Sequence, residues 1–195
     1  FKYIDRAGEI VNYFHKDGKP PVFDMDINRL IVKNPDKTTA EVKVSSKDFW
    51  AHFHMPDSLD QIENVYEKYA KDISAILDIG EVRRVGWRNY FIFELGSNDQ
   101  DKREGILSRF MPSPDFKFSE VIFSIEKGGV IQKIKVVRAE KRTENPSPVI
   151  LFDVDSYVEC KKAVASGEIG KHLKKIKEQI RADNFLGAIN SVLEK

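Results

Sequence analysis

Two aspartates separated by one residue follow an apolar run at residues 150–156, ILFDVDS, and a second copy, VFDMDIN, contains Asp24 and Asp26. Phosphatase-type hydrolases present a nucleophile and its acid partner with this spacing. Their chemistry needs a following loop and helix and then a long alternating α/β fold, whereas only 40 residues follow Asp155. The earlier copy continues directly into RLIVK, without the small residues of a phosphate-binding turn. We therefore predict no catalytic residue in either pair.

A β-strand explains the spacing of Asp153 and Asp155 without catalysis. Side chains alternate between the two faces of a strand, so the two carboxylates share one face while Phe152 and Val154 share the other. Both carboxylates then need partners, because a partly buried carboxylate that loses a hydrogen bond costs about 1–3 kcal/mol or more.

The segment 81–95, EVRRVGWRNYFIFEL, is predicted to be a long strand with cations on one face. Arg84, Gly86, Arg88 and Tyr90 share that face because they lie two residues apart. Glycine inside a strand marks the close approach of a backbone, an aromatic ring or a ligand.

Two uses of these arginines are open. In the first, they form charge-assisted hydrogen bonds with the aspartates on the same side of the sheet, above an apolar core. In the second, they hold an anionic or carboxylate-bearing ligand. The ligand-binding residues would then be Arg84, Arg88, Tyr90, Asp153 and Asp155.

The other candidate sites lack residues that their chemistry requires. His52 and His54 lie on one face of a predicted strand, but no third and fourth metal ligand accompanies them. Cys160 has no His or Asn motif near it, and no glycine is followed by Lys-Ser or Lys-Thr. We predict no metal, no cofactor and no catalytic residue.

The charge balance does not favour a nucleic-acid partner. Thirty-two basic and 31 acidic residues give a net charge of +1, so no global field attracts a polyanion. Basic residues crowd the last predicted helix, but no aromatic residues are interleaved to stack on bases. An RNA-associated protein that uses this helix stays an alternative. The basic residues are Lys171, Lys174, Lys175, Lys177 and Arg181.

The elements that position these residues are mostly strands. Five strand-like segments fill the first 54 residues: EIVNYFH, PVFDMDI, RLIVK, AEVKVS and FWAHFH. A helix follows, with Ser58 and Gln61 as a capping box and Gly80 at its end. Its apolar stripe comprises Leu59, Ile62, Val65, Tyr66, Tyr69, Ile73, Ile76 and Leu77.

Hairpins dominate the rest of the predicted order. A short helix is expected within residues 98–110, and Lys127-Gly128-Gly129 predicts a hairpin turn. One bent helix or two helices are expected over residues 168–195. The fold class is therefore predicted as α+β, a predominantly antiparallel sheet with helices packed on one face. With 195 residues, the chain is expected to form a single domain over residues 1–195.

The motif RVGWRNY resembles a strand of the form Arg-Ile-Gly-Leu-Arg-Tyr-Ile-Asn in a sporadically distributed family of uncharacterised bacterial proteins. That family also has an apolar strand ending in Asp-hydrophobic-Asp, and a later helix with a phenylalanine. The order of Asn89 and Tyr90 is reversed here. The resemblance implies a bacterial protein of no established activity, and such patchy distribution is typical of defence or toxin-antitoxin systems. The matching positions are Arg84, Gly86, Arg88, Leu151, Asp153, Asp155 and Phe185.

These observations predict a non-enzymatic interaction module that binds a protein partner through its sheet or a helix face. One cysteine excludes a disulfide framework, and the sequence has neither an apolar run of about 18 residues nor a signal-peptide pattern. We therefore expect a cytoplasmic protein with no membrane association. The alternatives are a small anionic-ligand binder or enzyme using Arg84 and Arg88, and an RNA-associated protein.

Overall fold

The computed structural model describes residues 3–15, 21–26, 28–37, 39–45, 47–53, 58–94, 100–110, 120–141, 147–181, 185, 187 and 189. Contacts within it divide the chain into two compact units. The first comprises Phe1–Arg83 and Cys160–Lys171, and the second comprises Arg84–Glu159 and His172–Lys195. The prediction of a single domain over residues 1–195 stays a prediction.

The first unit contains a four-stranded sheet with two helices packed against it. The helices are α1 (Tyr3–Phe14) and α2 (Leu59–Ile76), and the strands are β1 (Val22–Met25), β2 (Arg29–Lys33), β3 (Thr39–Ser45) and β4 (Phe49–Phe53). The strands pair antiparallel in the order β1-β2-β3-β4. The buried core consists of Ala7, Ile10, Phe14, Leu30, Val32, Val42, Val44, Tyr69, Ile73 and Leu77.

Helix α1 corrects the sequence analysis, which predicted a strand at EIVNYFH. That segment forms the second half of α1 and the residue after it. Ala7, Ile10 and Phe14 are all buried, and their spacing of three and four residues places them on one helical face. The prediction failed because a window that starts at Glu9 leaves out Ala7 and contains mostly β-branched and aromatic residues, which also suit a strand.

Helix α2 confirms the predicted helix. The Ser58 side chain accepts a hydrogen bond from the backbone N–H of Gln61 at 3.2 Å, so the start of the helix is capped. Ile73 is only 1% exposed, as the predicted buried stripe requires. The helix ends at Ile76, slightly before the predicted stop at Gly80.

The second sheet carries the candidate site. Its strands are β5 (Glu81–Glu94), β6 (Glu120–Lys127), β7 (Val130–Lys141) and β8 (Ser147–Ala165), in the order β5-β8-β7-β6. Helix α3 (Gln100–Ser108) precedes β6, and a short 3-10 helix (Ser166–Glu168) leads from β8 into α4 (Ile169–Ile180). The described strands form two antiparallel sheets, and the predicted α+β class is confirmed.

Turn chemistry sets the register of β6 and β7. Gly128 and Gly129 have φ angles of 60° and 72°, the left-handed values that a two-residue hairpin turn requires. Lys127 therefore lies opposite Val130, and the predicted hairpin is confirmed.

The core of the second unit lies between one face of this sheet and residues of α3 and the C-terminal segment. Phe185, Gly187 and Ile189 are helical, while the predicted bend near Asn184 lies outside the described residues. None of the described helices is long and apolar enough to cross a membrane. The buried residues are Leu107, Ile134, Val136, Ile150, Phe152, Val154, Phe185 and Ile189.

Candidate functional site

The two faces of the second sheet differ in character. Val85, Trp87, Phe152 and Val154 are buried on the face that meets the core, as strand alternation predicts. The other face, here called the polar face, carries the predicted site residues. These are Arg84, Arg88 and Tyr90 of β5 and Asp153 and Asp155 of β8.

Each arginine donates hydrogen bonds to one aspartate. The Nε of Arg88 donates to Oδ1 of Asp153 at 2.7 Å, and its Nη2 donates to Oδ2 of the same carboxylate. Nη2 of Arg84 donates to Oδ2 of Asp155 at 2.6 Å. The predicted charge-assisted pairing of these four residues is therefore confirmed, with a two-point contact at Arg88.

In the Arg88–Asp153 pair, the aspartate is largely buried and the arginine is exposed. The Asp153 side chain is 12% exposed, whereas the Arg88 side chain is 59% exposed. The hydrogen bond to Asp153 raises the pKa of Arg88. A buried carboxylate is costly without a partner, so Asp153 needs its hydrogen bonds with Arg88. The same hydrogen bonds hold Arg88 in one orientation over the sheet.

The strand glycine is explained by the neighbouring strand. A Cβ atom added at Gly86 would lie 3.3 Å from Cβ of Tyr157, which is closer than ordinary contact. The guanidinium carbon of Arg84 lies 4.0 Å from the centre of the Tyr157 ring. Tyr157 was missed by sequence reasoning, although strand alternation from Asp155 places it on the same face.

Strand β7 extends the pattern of charges. Lys133 lies opposite Asp155 and Lys135 lies opposite Asp153 in the register of β7 and β8. Lys135 also forms an ion pair with Glu120 of β6. Across the polar face, the strands that carry cations, β5 and β7, thus alternate with the strands that carry carboxylates, β8 and β6. Because each cation lies beside a carboxylate, the face offers no concentrated positive charge to a polyanion.

Large apolar side chains are exposed on the same face. Tyr90 is 57% exposed, Ile92 is 61% exposed and Ile122, opposite Lys135, is 51% exposed. The ring centre of Tyr90 lies 5.6 Å from the guanidinium carbon of Arg88. Exposed apolar residues with a polar surround are typical of interaction surfaces. Sequence reasoning included Tyr90 among the site residues and missed Ile92 and Ile122.

In the second aspartate pair, Asp26 shapes a turn. Oδ1 of Asp26 accepts hydrogen bonds from the backbone N–H groups of Asn28, at 2.7 Å, and Arg29, at 3.0 Å. The hydrogen bond from Asn28 is the largest cause of a lowered pKa for Asp26. Asp24 lies opposite Ile31 in the register of β1 and β2. Asp26 therefore stabilises the turn between β1 and β2.

The histidines and the cysteine do not assemble into a site within the described residues. His52 is exposed on β4, and His54 lies outside the described part of the chain. No group of three or more His, Cys, Asp or Glu residues in that part could hold a metal ion. Cys160 is a free, half-buried thiol.

A cleft of about 460 Å³ between α1 and α2 contains none of the predicted site residues. The hydroxyl of Tyr13 in its wall donates to Oδ2 of Asp72 at 2.7 Å. Burial, followed by the hydrogen bond to Asp72, raises the pKa of Tyr13. The phenol therefore stays protonated near neutral pH, which is unsuitable for a general base.

The strength of the Arg88–Asp153 pair can be measured in a double-mutant cycle. Arg88→Met, Asp153→Asn and the double variant are expected to give a coupling free energy of about 1 kcal/mol, the upper end for partly exposed pairs, because the contact is two-pointed and the carboxylate is buried. Urea unfolding of the four proteins provides the value.

The control for this cycle is the exposed pair of Arg6 and Glu9 on α1, whose side chains are 41% and 52% exposed. It is expected to give about 0.3 kcal/mol, as for other exposed pairs within one helix. A coupling across the polar face no larger than that of the control would contradict the interpretation.

No protein-family model, curated protein or solved structure matches this chain, so the resemblance to the sporadic bacterial family stays a prediction.

Proposed function

We propose that this chain is a non-enzymatic interaction module that binds a protein partner through the β5 side of the polar face. The observation that carries the proposal is the exposure of Tyr90 and Ile92, each more than half exposed, beside the Arg88–Asp153 pair. Aromatic side chains, with arginine, are enriched in protein interfaces. An apolar centre with a polar rim is the usual composition of such a surface.

The hydrogen bonds of the arginines weigh against an anionic ligand. A ligand that captured Arg88 would have to displace Asp153 from a two-point contact. The carboxylate, only 12% exposed, would then lose its partner, which is strongly unfavourable. Lys133 and Lys135 also face carboxylates across the sheet. This arrangement supports a protein partner over an anion-binding pocket.

The proposal predicts that Ile92→Glu weakens binding of a protein partner by about tenfold or more, because a charge replaces an apolar contact at the centre of the surface. For the measurement, equal amounts of each variant are immobilised, and the amount of one protein that each captures from extracts of the source cells is quantified. Thermal unfolding of each variant checks that the fold is intact.

Met25→Glu is the matched control, since Met25 is 62% exposed on an edge strand of the other sheet. It is expected to capture the same protein as the original chain. If Ile92→Glu still bound the partner and Met25→Glu did not, the interaction surface would lie outside the β5 side of the polar face. A catalytic turnover abolished by Asp153→Asn without loss of fold would replace the proposal with an enzyme.

A further inference from the structure

Strand β5 has one unpaired side within the described strands. It stands at one end of the order β5-β8-β7-β6 and is 14 residues long, well above the usual strand length. Proline and irregular backbone often block a strand edge, but β5 contains no proline and no residue with a positive φ angle. The N–H and C=O groups along its outer side can therefore pair with an additional strand.

The order of charges across the polar face indicates which strand would fit there. Strand β7 has carboxylates on both sides, because Lys135 lies opposite Asp153 of β8 and forms an ion pair with Glu120 of β6. Among the described strands, β5 has carboxylates on one side only, that of β8. A strand that continued the alternation would place carboxylates beside Arg84 and Arg88.

Both arginines keep N–H groups for such a partner. A guanidinium group has five N–H donors. Within the described part of the chain, Arg84 donates only through Nη2, to Asp155, and Arg88 donates through Nε and Nη2 to Asp153. The two arginine side chains are 52% and 59% exposed. Carboxylates of a partner can therefore bind without displacing either aspartate, so the cost of leaving Asp153 unpaired does not arise.

Strand geometry sets the spacing of the partner's carboxylates. The described sheets are antiparallel, so the added strand is expected to run antiparallel to β5. Residues directly opposite each other have Cβ atoms about 4.5–5.5 Å apart, within reach of an ion pair. Because Arg84 and Arg88 are four residues apart, the two carboxylates must be four residues apart as well. Tyr90 and Ile92, each more than half exposed on the same face, favour apolar residues opposite them.

We infer that the partner contributes an extended acidic segment that pairs antiparallel with the outer side of β5 and places two carboxylates, four residues apart, opposite Arg84 and Arg88. The inference rests on the proposed function, since it states the chemistry of the protein partner. Backbone hydrogen bonds hold the segment on the edge, and its side chains give specificity. From its N-terminus, the segment has the pattern apolar-x-apolar-x-acidic-x-x-x-acidic, with the apolar residues opposite Ile92 and Tyr90.

The first test measures the fluorescence anisotropy of the labelled peptide Val-Thr-Val-Thr-Glu-Thr-Thr-Thr-Glu with the full chain. Saturable binding is expected, weaker at high salt because exposed charges are screened. The control peptide exchanges each glutamate with the threonine before it, which moves both carboxylates to the other face of the strand. It is expected to bind about tenfold more weakly, since two exposed charge pairs are lost. No binding of the first peptide up to about 1 mM, or equal binding of the two, would overturn the inference.

The second test concerns the residue opposite the last glutamate of the peptide. Replacing that glutamate with glutamine is expected to weaken binding to the original chain by about fivefold, the upper end for one exposed pair. In Arg84→Gln the same replacement is expected to have no effect, because the opposite charge is gone. Lys133→Gln is the matched control, since it removes a cation of the same face from β7, two strands away from β5. It is expected to keep the fivefold preference.

A preference for glutamate that survives in Arg84→Gln, or that disappears equally in Lys133→Gln, would contradict the pairing. Hydrogen exchange then locates the bound peptide. The amides of β5 are expected to exchange more slowly with the peptide, whereas those of β6, the other edge of the described sheet, are expected to be unchanged. Slower exchange at β6 instead would overturn the inference, since that edge carries Glu120 and Glu126.

A second copy of the chain is a different occupant of the same edge. Slow exchange of β5 without peptide, together with a doubled mass in sedimentation equilibrium, would identify it and overturn the acidic segment. Failure of the proposed function has another signature. A chain that binds neither peptide but captures a protein, with loss in Ile92→Glu, disproves the acidic segment and leaves the interaction function standing. A chain that binds no peptide and captures no protein disproves both.

Discussion

Replacing Phe185 with alanine is expected to lower the free energy of unfolding by about 3–5 kcal/mol. The Phe185 side chain is fully buried, its ring stacks on Phe91 with centres 4.3 Å apart, and it meets Phe152 edge-on at 5.8 Å. Truncation removes these contacts and leaves a cavity that a sheet can fill only partly. Urea unfolding followed by circular dichroism provides the value.

Phe185→Leu is the control, because leucine preserves much of the apolar volume. It is expected to cost clearly less than the alanine variant, in line with apolar replacements that keep most of the volume. A loss below about 1 kcal/mol for Phe185→Ala would show that the C-terminal segment does not pack against β5 and β8 as described. The result also concerns the candidate interaction surface, since Phe91 is flanked by Tyr90 and Ile92 in β5.

The pairing of arginines with aspartates could be predicted from the sequence because strand alternation has a strict period of two. Once Phe152 and Val154 are assigned to the core, the two aspartates must lie on the other face, and the same holds for Arg84. Burying a carboxylate requires a partner, so the chemistry of the contact followed from the residue types.

The lysines of the polar face could not be predicted in the same way. Lys133 and Lys135 lie beside the aspartates only because β7 pairs with β8 in one register. Strand β5 pairs with β8 across an intervening helix and two strands. No local pattern encodes such long-range neighbours, whereas hairpins such as the one at Gly128 are encoded by their turn residues.

Helix α1 was misread for a different reason. Its apolar residues Ile10, Val11 and Phe14 are strand formers by propensity, and tertiary packing against the first sheet overrides that preference. The helical period becomes evident only when Ala7, a small residue that counts little in a hydrophobicity pattern, is recognised as part of the buried face.

Ile73→Ala is expected to lower the free energy of unfolding by about 2–5 kcal/mol, because Ile73 is 1% exposed in the core beneath the first sheet. Ile76→Ala, on the same helix and only half-buried, is the control and is expected to cost less. Since the chain is predicted to be one domain, thermal unfolding should show one transition, which both Ile73→Ala and Phe185→Ala shift downward. Two separate transitions, one moved only by Ile73→Ala and the other only by Phe185→Ala, would contradict the single domain and show that each unit unfolds independently.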